Sequence, residues 1–341
     1  MNDKKPALSV VIPTLGRPIL IQTLESLVAA QGFDKCEVWV VGKIADSGVE
    51  QRLRALMDAH SQVQHLQVSF EKGDSSEKKN AGFRASRSEF VAFLDDDVVV
   101  SPDWPLRIVE PFSDPAVGLV SGPSLVPDEI PLMARLAGHA LASKAAGYVA
   151  ERYLAGGQEP RRVKWSRLIG CNMVYRRPVL EQVGLFDPKF WPGEEMIAAF
   201  RATAPGHVLV FCPSAYVYHY PRQSLARFAK QTFGYGATRI RLMRAGVEIE
   251  PATLVPMVWV LSLLVLGAGA IFSRWMAWLL CLDLGLYLLA TAWVVISKLL
   301  QTRKAFDLLL FFVIPLMHIS YGIAEWVELF RPDRDLSEKA V

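Results

Sequence analysis

Residues 90–97 read FVAFLDDD, a short apolar run that ends in the consecutive aspartates Asp95, Asp96 and Asp97. The run predicts a buried strand, and ligands of open α/β sheets bind just outside the carboxyl ends of such strands. Carboxylate oxygens at that position suit Mg²⁺ or Mn²⁺. An acidic turn by itself is more often a solvated loop than a metal site, so the neighbouring sequence has to support a metal-binding interpretation.

Short β-rich runs alternate with amphipathic stretches on both sides of this segment, from Leu8 to about Tyr220. The alternation indicates strand–helix–strand units and an α/β domain, residues 1–221, with a mostly parallel, Rossmann-like sheet. The predicted strands are residues 8–12, 37–41, 65–70, 90–94, 118–121, 171–175 and 208–211. The predicted helices are residues 20–30, 49–59, 76–86 and 104–112.

The composition indicates that part of the chain lies in lipid, because 52% of its 341 residues are hydrophobic. A net charge of +3 is too small to indicate a nucleic-acid-binding protein. The four cysteines lack the spacing of a zinc site or a disulfide framework, which favours reduced, mostly buried thiols. The first apolar run is too short for a signal peptide, so we expect the α/β domain to stay in the cytoplasm.

Residues 222–250 combine arginines and lysines with apolar and aromatic residues. This pattern is typical of an interfacial helix on an anionic membrane surface, and we expect the helix to break near Gly234 and Gly236. An ordinary solvated basic face is the alternative.

Three apolar runs follow, at residues 252–272, 275–297 and 306–323, and each has about the ~20 residues that a spanning helix requires. They predict a transmembrane region at 251–325 and a tail at 326–341. Basic residues before the first run and between the second and third predict that the α/β domain lies in the cytoplasm and the tail outside, in a multi-pass protein of the inner (plasma) membrane. A buried helical core is the alternative.

Two ionisable residues, Asp283 and His318, interrupt the second and third runs. Charged groups in lipid are costly and usually find a partner, so we expect a structural contact between them. A polar foothold for a lipid carrier is the functional alternative.

Several ordered motifs resemble family 2 of the glycosyltransferases, from Leu8 to about Gly246. Residues 8–14 (LSVVIPT) with Arg17 resemble the family's first strand and nucleotide-binding turn, and residues 79–82 (KNAG) resemble its Arg-Asn-x-Gly segment. The aspartates at 95–97 take the place of its DxD motif. The acceptor-side motifs are matched by residues 170–176 (GCNMVYR), 183–187 (VGLFD) and 193–195 (GEE) with Arg201.

The resemblance implies a GT-A fold and an inverting glycosyltransferase, in which one carboxylate removes the acceptor hydroxyl proton. Glu195 stands at the position of the family's catalytic Asp and is the expected base, although Glu194 and Glu195 could merely favour a helix N-terminus. The expected metal ligands are Asp97, Asp95 and His219, where a structural histidine is the alternative. The expected donor-binding residues are Pro13, Thr14, Arg17, Lys79, Asn80, Asp95 and Asp96. The expected acceptor-side residues are Cys171, Asn172, Glu194 and Arg201.

The chain departs from the family pattern after the second strand, where members usually carry an acid that reads the base. Here Gly42 and Lys43 follow, and Asp46 is the nearest acid, so we place it among the donor-binding residues and favour UDP over GDP or dTDP only as a starting expectation. The QxxRW motif of processive synthases is absent from the sequence, which favours transfer of one sugar per encounter.

The basic stretch with Gly234, Gly236 and Arg239, followed by spans, is similar to transferases of bacterial exopolysaccharide synthesis. It suggests a membrane-presented acceptor such as a polyprenyl-diphosphate-linked saccharide, with a ceramide or hopanoid lipid as the alternative. A catalytically silent scaffold of the same fold is a second interpretation. A nucleotidyltransferase is disfavoured because a Gly-rich phosphate loop is missing near the first strand.

Overall fold

The computed structural model describes residues 6–70, 74–157 and 159–332, which divide into two compact units. We call the first the sheet unit; it comprises the described residues up to Pro127 together with Glu151–Tyr220. We call the second the helical unit; it comprises Asp128–Ala150 and the described residues from Pro221 onward. The sequence pattern predicts that residues 128–150 belong to the α/β domain, whereas in the structure they group with the C-terminal helices.

Eleven strands are present in the described residues, and eight of them form the main sheet in the order β3-β2-β1-β4-β9-β6-β10-β8. Their bounds are β1 Leu8–Pro13, β2 Cys36–Val41, β3 Val63–Leu66, β4 Phe90–Leu94, β5 Val98–Val100, β6 Val117–Ser121, β7 Ser124–Leu125, β8 Arg161–Arg162, β9 Asn172–Arg176, β10 Val208–Phe211 and β11 Val217–His219. Strands β5, β11 and β7 form a small second sheet.

The α-helices of the described residues are α1 Ile19–Val28, α2 Ser47–Ala59, α3 Asp74–Ala85, α4 Trp104–Val109, α5 Leu132–Leu141, α6 Arg177–Gln182, α7 Glu194–Arg201, α8 Leu225–Arg244, α9 Val255–Ala270, α10 Arg274–Thr302 and α11 Leu310–Leu329. Helices α5, α8, α9, α10 and α11 lie in the helical unit, and the others lie in the sheet unit.

The main sheet is mostly parallel: β2 and β4 pair with β1, β3 pairs with β2, and β10 pairs with β6, all in parallel. Only β9, between β4 and β6, and the short β8 run antiparallel to their neighbours. The central strands are apolar on both faces, as expected of a sheet covered on both sides. One side of β1 and β4 packs against Leu20 and Leu24 of α1 and Trp104 of α4 in a single core. The predicted α/β architecture with a mostly parallel sheet is confirmed.

The third predicted strand was placed too late. It was expected at residues 65–70 but forms at Val63–Leu66, where Val63 to Leu66 pair with Val38 to Val41 of β2. Its partner ends at Val41, and residues 67–70 are mostly exposed, so neither pairing nor burial extends the strand. The short strands β5, β7, β8 and β11 were not predicted, because two or three residues carry too little periodicity.

The helical unit contains three helical segments long and apolar enough to cross a membrane, at Pro251–Ala270, Arg274–Thr302 and Ala305–Leu329. Helix α8 precedes them and is continuous, so the predicted break near Gly234 and Gly236 is wrong. A Cβ on Gly236 would lie 2.3 Å from the carbonyl oxygen of Tyr321. Gly236 is therefore used for close packing of α8 against α11 and not for breaking the helix.

The C-terminal half of α8 is buried instead of lying on a surface. Arg239 and Arg241 are 4% and 6% exposed, and they face Tyr321 and Glu328 of α11. The interfacial interpretation therefore fails for these two arginines and is open only for the exposed first half of the helix.

The predicted contact between Asp283 and His318 is wrong. The Asp283 carboxylate accepts a hydrogen bond from Ser262 on α9 at 3.0 Å. His318 has its ring nitrogens within 3.0 Å of the Tyr287 hydroxyl and of the Ala145 carbonyl oxygen. Each side chain therefore has neutral hydrogen-bond partners, a hydroxyl for Asp283 and a hydroxyl and a carbonyl for His318.

Candidate active site

The turn after β1 is fixed to the second aspartate of the acidic cluster. Asp96 is 4% exposed, and its carboxylate accepts hydrogen bonds from the Thr14 hydroxyl at 2.7 Å and from the backbone N–H of Leu15 at 3.3 Å. The Arg17 guanidinium donates to the same carboxylate. Asp96 therefore organises Thr14 and Arg17, two of the expected donor-binding residues, and Pro13 ends the strand directly before them.

The other two aspartates face His219. Val98 of β5 pairs with His219 of β11, and this register brings the imidazole beside the residues that precede β5. Its Nε2 lies 3.0 Å from Asp97 Oδ1 and 4.0 Å from Asp95 Oδ2. Ligand atoms of all three side chains lie within 4.8 Å of one another. The donor set, two carboxylates and one imidazole, fits Mg²⁺ or Mn²⁺.

The charges of this cluster are only partly balanced. Arg17 also reaches Asp97 at 3.1 Å, and its side chain is 43% exposed. Desolvation and the negative charge of Asp97 raise the pKa of Asp95 above its ordinary value. Asp95, with a side chain 40% exposed, is the most accessible of the three acids. A cation from solution would relieve the repulsion.

A second cluster joins Lys79 of α3 to the first two residues of α7. The Lys79 ammonium donates to Glu195 and, at 3.2 Å, to Glu194. Lys79 and Glu194 are 2% exposed at the side chain, whereas Glu195 keeps 19%. The Glu194 carboxylate also accepts from the N–H of Gly193 at 3.0 Å. Glu194 is thus enclosed, and Glu195 is the member that remains accessible to a substrate.

The two glutamates have opposite pKa shifts. Burial and the charge of Glu194 raise the pKa of Glu195 to about 7, although Lys79 opposes the shift. Burial opposes ionisation of Glu194 too, but Lys79 and backbone N–H groups outweigh it and lower the pKa of Glu194. Burial disfavours the charge on Lys79, yet both carboxylates overcome it and raise the pKa of Lys79. Glu195 is therefore the carboxylate able to gain and lose a proton near neutrality.

The segment before β9 packs on this cluster. A Cβ on Gly170 would lie 2.8 Å from the Glu195 Cδ, so a larger residue here would displace the Glu195 side chain. Burial raises the pKa of the Cys171 thiol well above its ordinary value, which keeps it uncharged. Asn172 accepts from the Trp104 indole at 2.9 Å and donates to the Ala215 carbonyl at 2.8 Å. Asn172 is fully buried, so it supports the site from behind.

Two further predicted residues have structural contacts. The Asn80 side chain donates to the Phe186 carbonyl at 2.8 Å and accepts from the Phe186 N–H at 3.0 Å. It braces the 183–187 segment, so the structure uses both ends of its amide there. Arg201, in the last turn of α7, lies over the Phe190 ring at 5.9 Å from the centroid.

The predicted base-reading acid Asp46 caps α2. Its carboxylate accepts from the N–H groups of Gly48 and Val49 at 2.8 and 3.0 Å. Lys78 was not predicted as a site residue. Its ammonium donates to the Thr14 carbonyl at 2.8 Å and to Asp74 at 2.5 Å. The adjacent lysines Lys78 and Lys79 were the sequence signal for this contact. Neighbouring helix residues face different directions, so Lys78 can hold the turn after β1 while Lys79 contacts the two glutamates.

The sequence profile described as glycosyltransferase like family 2 matches residues 6–235. The chain belongs to this family. As a family 2 glycosyltransferase it is 26% identical over 247 residues to glycosyltransferase AglE of Haloferax volcanii, covering 71% of this chain and 76% of that protein. It is 28% identical over 259 residues to the succinoglycan biosynthesis protein ExoM of Rhizobium meliloti, covering 71% of this chain and 77% of ExoM.

This family 2 glycosyltransferase also shares its fold with a solved structure. The mannosyltransferase PcManGT from Pyrobaculum calidifontis, solved in complex with GDP-Man and Mn²⁺, superposes with a TM-score of 0.58 at 16% identity. The match covers 95% of this chain and 88% of that one. The GT-A fold that the motifs implied is thereby confirmed.

Proposed function

We propose that this glycosyltransferase is an inverting, metal-dependent and non-processive enzyme that transfers one sugar from a nucleotide-sugar to a membrane-presented acceptor. The observation that carries the proposal is the convergence of Asp95, Asp97 and His219 beyond β4, with the Lys79–Glu195 cluster in the same unit. The related fold that holds GDP-Man and Mn²⁺ supports a nucleotide-sugar donor and a divalent ion.

The acidic cluster would hold Mg²⁺ or Mn²⁺ through Asp95, Asp97 and His219. When bound, such an ion neutralises the charge that develops on a departing nucleotide diphosphate. Thr14 and Arg17 would contact the donor, and Asp96 keeps both side chains in place through its hydrogen bonds. UDP is our starting choice of nucleotide. The acid that reads the base in family members is missing or displaced to Asp46 here, so the sequence does not favour GDP or dTDP instead.

Glu195 would act as the general base. The acceptor hydroxyl oxygen attacks the anomeric carbon from the face opposite the diphosphate, while the bond from that carbon to the diphosphate oxygen breaks. The hydroxyl proton passes to a Glu195 carboxylate oxygen, and the single displacement inverts the anomeric centre. A pKa of about 7 suits this role, because the base must be ionised before the reaction and protonated after it.

The acceptor would be a lipid or a polyprenyl-diphosphate-linked saccharide. The apolar helices would anchor the protein in the inner membrane with its sheet unit on the cytoplasmic side. Arg227 and Lys230, exposed in the first half of α8, would meet acidic headgroups or the acceptor's phosphates. The relative ExoM, a succinoglycan biosynthesis protein, supports a cell-surface saccharide as the product.

The test is to incubate the detergent-purified protein with a panel of UDP-, GDP- and dTDP-sugars and to measure nucleotide release. Each donor is assayed with Mn²⁺, with Mg²⁺ and with chelator, and with or without a lipid extract. We expect release from one donor that requires the ion and rises with the extract. Lack of release from any donor under every condition would favour the catalytically silent scaffold instead.

A further inference from the structure

Helix α11 contacts the beginning of α9 through residues near its own C-terminal end. A Cβ on Gly322 would lie 2.4 Å from the Pro256 carbonyl oxygen, and the Trp326 indole donates to the Met257 carbonyl at 2.8 Å. Pro256 and Met257 lie in the first turn of α9. If α9 and α10 cross the membrane, α11 begins on the same side as α9. A third span would then run in the same direction as α9 and bring residues 322–326 level with the end of α9. That end instead meets α10, where a Cβ on Gly269 would lie 2.1 Å from the Met276 sulfur.

Both ends of α11 contact segments that are continuous with the sheet unit. Near its beginning, the imidazole of His139 on α5 lies 2.6 Å from the Asp307 carboxylate, and Lys304 reaches Asp128 at 2.6 Å. Near its end, Arg244 of α8 donates to the Leu329 carbonyl at 2.7 Å. Residues 128–150 leave and rejoin the sheet unit, and α8 begins shortly after Tyr220.

Neither of these segments crosses a membrane. Within the part of the chain that the structure describes, only the three C-terminal helical segments are long and apolar enough to do so. Helix α8 runs parallel to α11, from the Thr232–Ser320 hydroxyl pair at 2.5 Å to the Arg241–Glu328 ion pair at 3.8 Å. If α11 spanned the bilayer, it would draw the charged end of α8 across the hydrocarbon core, which is costly.

The charges of α11 face inward and its exposed face is apolar. Glu325 and Glu328 are 0% and 4% exposed, on the side of α8. The exposed residues recur at helical spacing along one face. They are Phe312, Ile319, Ile323, Val327 and Phe330. A helix with one apolar face and its polar groups covered by protein suits the boundary between lipid and water.

We propose that α11 lies along the membrane surface on the side of the sheet unit, with this apolar face in the lipid, and that only α9 and α10 cross. The inference rests on the proposed membrane association but not on catalysis. It replaces the three-span topology expected from sequence, because it puts both ends of α11 on the same side as the active site.

Sidedness is tested with single cysteines in a Cys281→Ala background, since the other three cysteines are buried. Pro332→Cys reports on the end of α11, Gln51→Cys on the sheet unit and Ser273→Cys on the α9–α10 connection. A membrane-impermeant maleimide is applied to sealed vesicles of each orientation. We expect positions 332 and 51 to label in the same vesicles, and position 273 only in the opposite ones.

Labelling of 332 together with 273 would overturn the proposal. Labelling of all three positions in both orientations would overturn membrane spanning itself, and the inference with it. The Cys281→Ala parent is the control and has to stay unlabelled.

Depth measurement gives a second, independent check. A fluorophore on Ile319→Cys or Phe330→Cys is quenched by lipids brominated at shallow or deep acyl positions. A helix along the surface gives both positions the same shallow profile. A spanning helix would separate them in depth by about 16 Å, at ~1.5 Å per residue, and that result would contradict the proposal.

Discussion

The two acidic clusters of the sheet unit are built alike, although they use different residues. In each, one acid is enclosed and organises its surroundings, Asp96 in the first cluster and Glu194 in the second. The neighbouring acids, Asp95 and Asp97 in one and Glu195 in the other, face the site. We therefore propose that adjacent carboxylates have different tasks, and that the groups contacting each one decide which task it has.

Replacing each glutamate in turn gives the largest expected difference. Glu195→Gln should lower kcat by about 10²–10⁴-fold, because the amide cannot accept the acceptor proton. Glu194→Gln should keep a larger share of kcat and lower the thermal midpoint, since it weakens a buried contact to Lys79. Steady-state kinetics and thermal unfolding of both variants check this. Equal losses of kcat with unchanged midpoints would remove the distinction between the two residues.

In the first cluster, replacing Asp96 and replacing Asp95 should have different effects on the free energy of unfolding. Asp96→Ala leaves the Thr14 hydroxyl and the Leu15 N–H without their acceptor and leaves Arg17 paired with Asp97 alone, which should cost about 2–3 kcal/mol of unfolding free energy. Asp95→Ala should change it by less than about 0.5 kcal/mol, because it also removes repulsion from Asp97. Thermal unfolding in detergent without added metal measures both. A larger loss from Asp95→Ala would reverse the assignment.

The pH dependence of kcat/KM should report the ionisation of Glu195 and the effect of Lys79 on its pKa. The base acts in its ionised form, so activity should fall about tenfold per pH unit below a pKa of about 7. Lys79→Met removes the cation that opposes protonation, so this acidic limb should move to higher pH, while Lys79→Arg should leave it near its original place. The groups facing Glu195 are Lys79, Glu194, Cys171 and the Tyr175 hydroxyl. An unchanged limb in Lys79→Met would separate Lys79 from the base.

The smallest expected effect lies outside both clusters. Asp46→Ala removes the cap of α2 and should cost about 1 kcal/mol of stability, and Asp46→Asn should restore most of it. The donor KM of both variants tells whether Asp46 also reads the base. A KM that rises in Asp46→Asn with stability intact would show that it does.

The sequence was sufficient for features that depend on local pattern. The apolar strands, the acids that follow β4 and the Glu pair at the start of α7 are all contiguous in sequence. The position of the three aspartates at the carboxyl end of the parallel strand β4 follows from fold class. The resemblance to the family motifs predicted that both clusters belong to one site.

Features that depend on distant partners could not be predicted. The enclosure of Asp96 depends on a turn about 80 residues earlier, and the partners of Lys79 lie over 100 residues later. Gly236 looked like a helix breaker because the sequence does not show that Tyr321 packs against it. Apolar length predicts a third span at α11, and our proposal that α11 lies along the surface rests on which helices lie beside it, which composition does not reveal.

The division of labour between the two clusters is tested most directly by measuring donor binding and turnover on the same two variants. Binding of the active donor from the panel is measured by calorimetry with and without Mn²⁺, alongside nucleotide release. Asp97→Ala should lose the metal-dependent binding, and Glu195→Gln should bind the donor normally and lose turnover. Normal metal-dependent binding by Asp97→Ala, or weak binding by Glu195→Gln, would contradict this account.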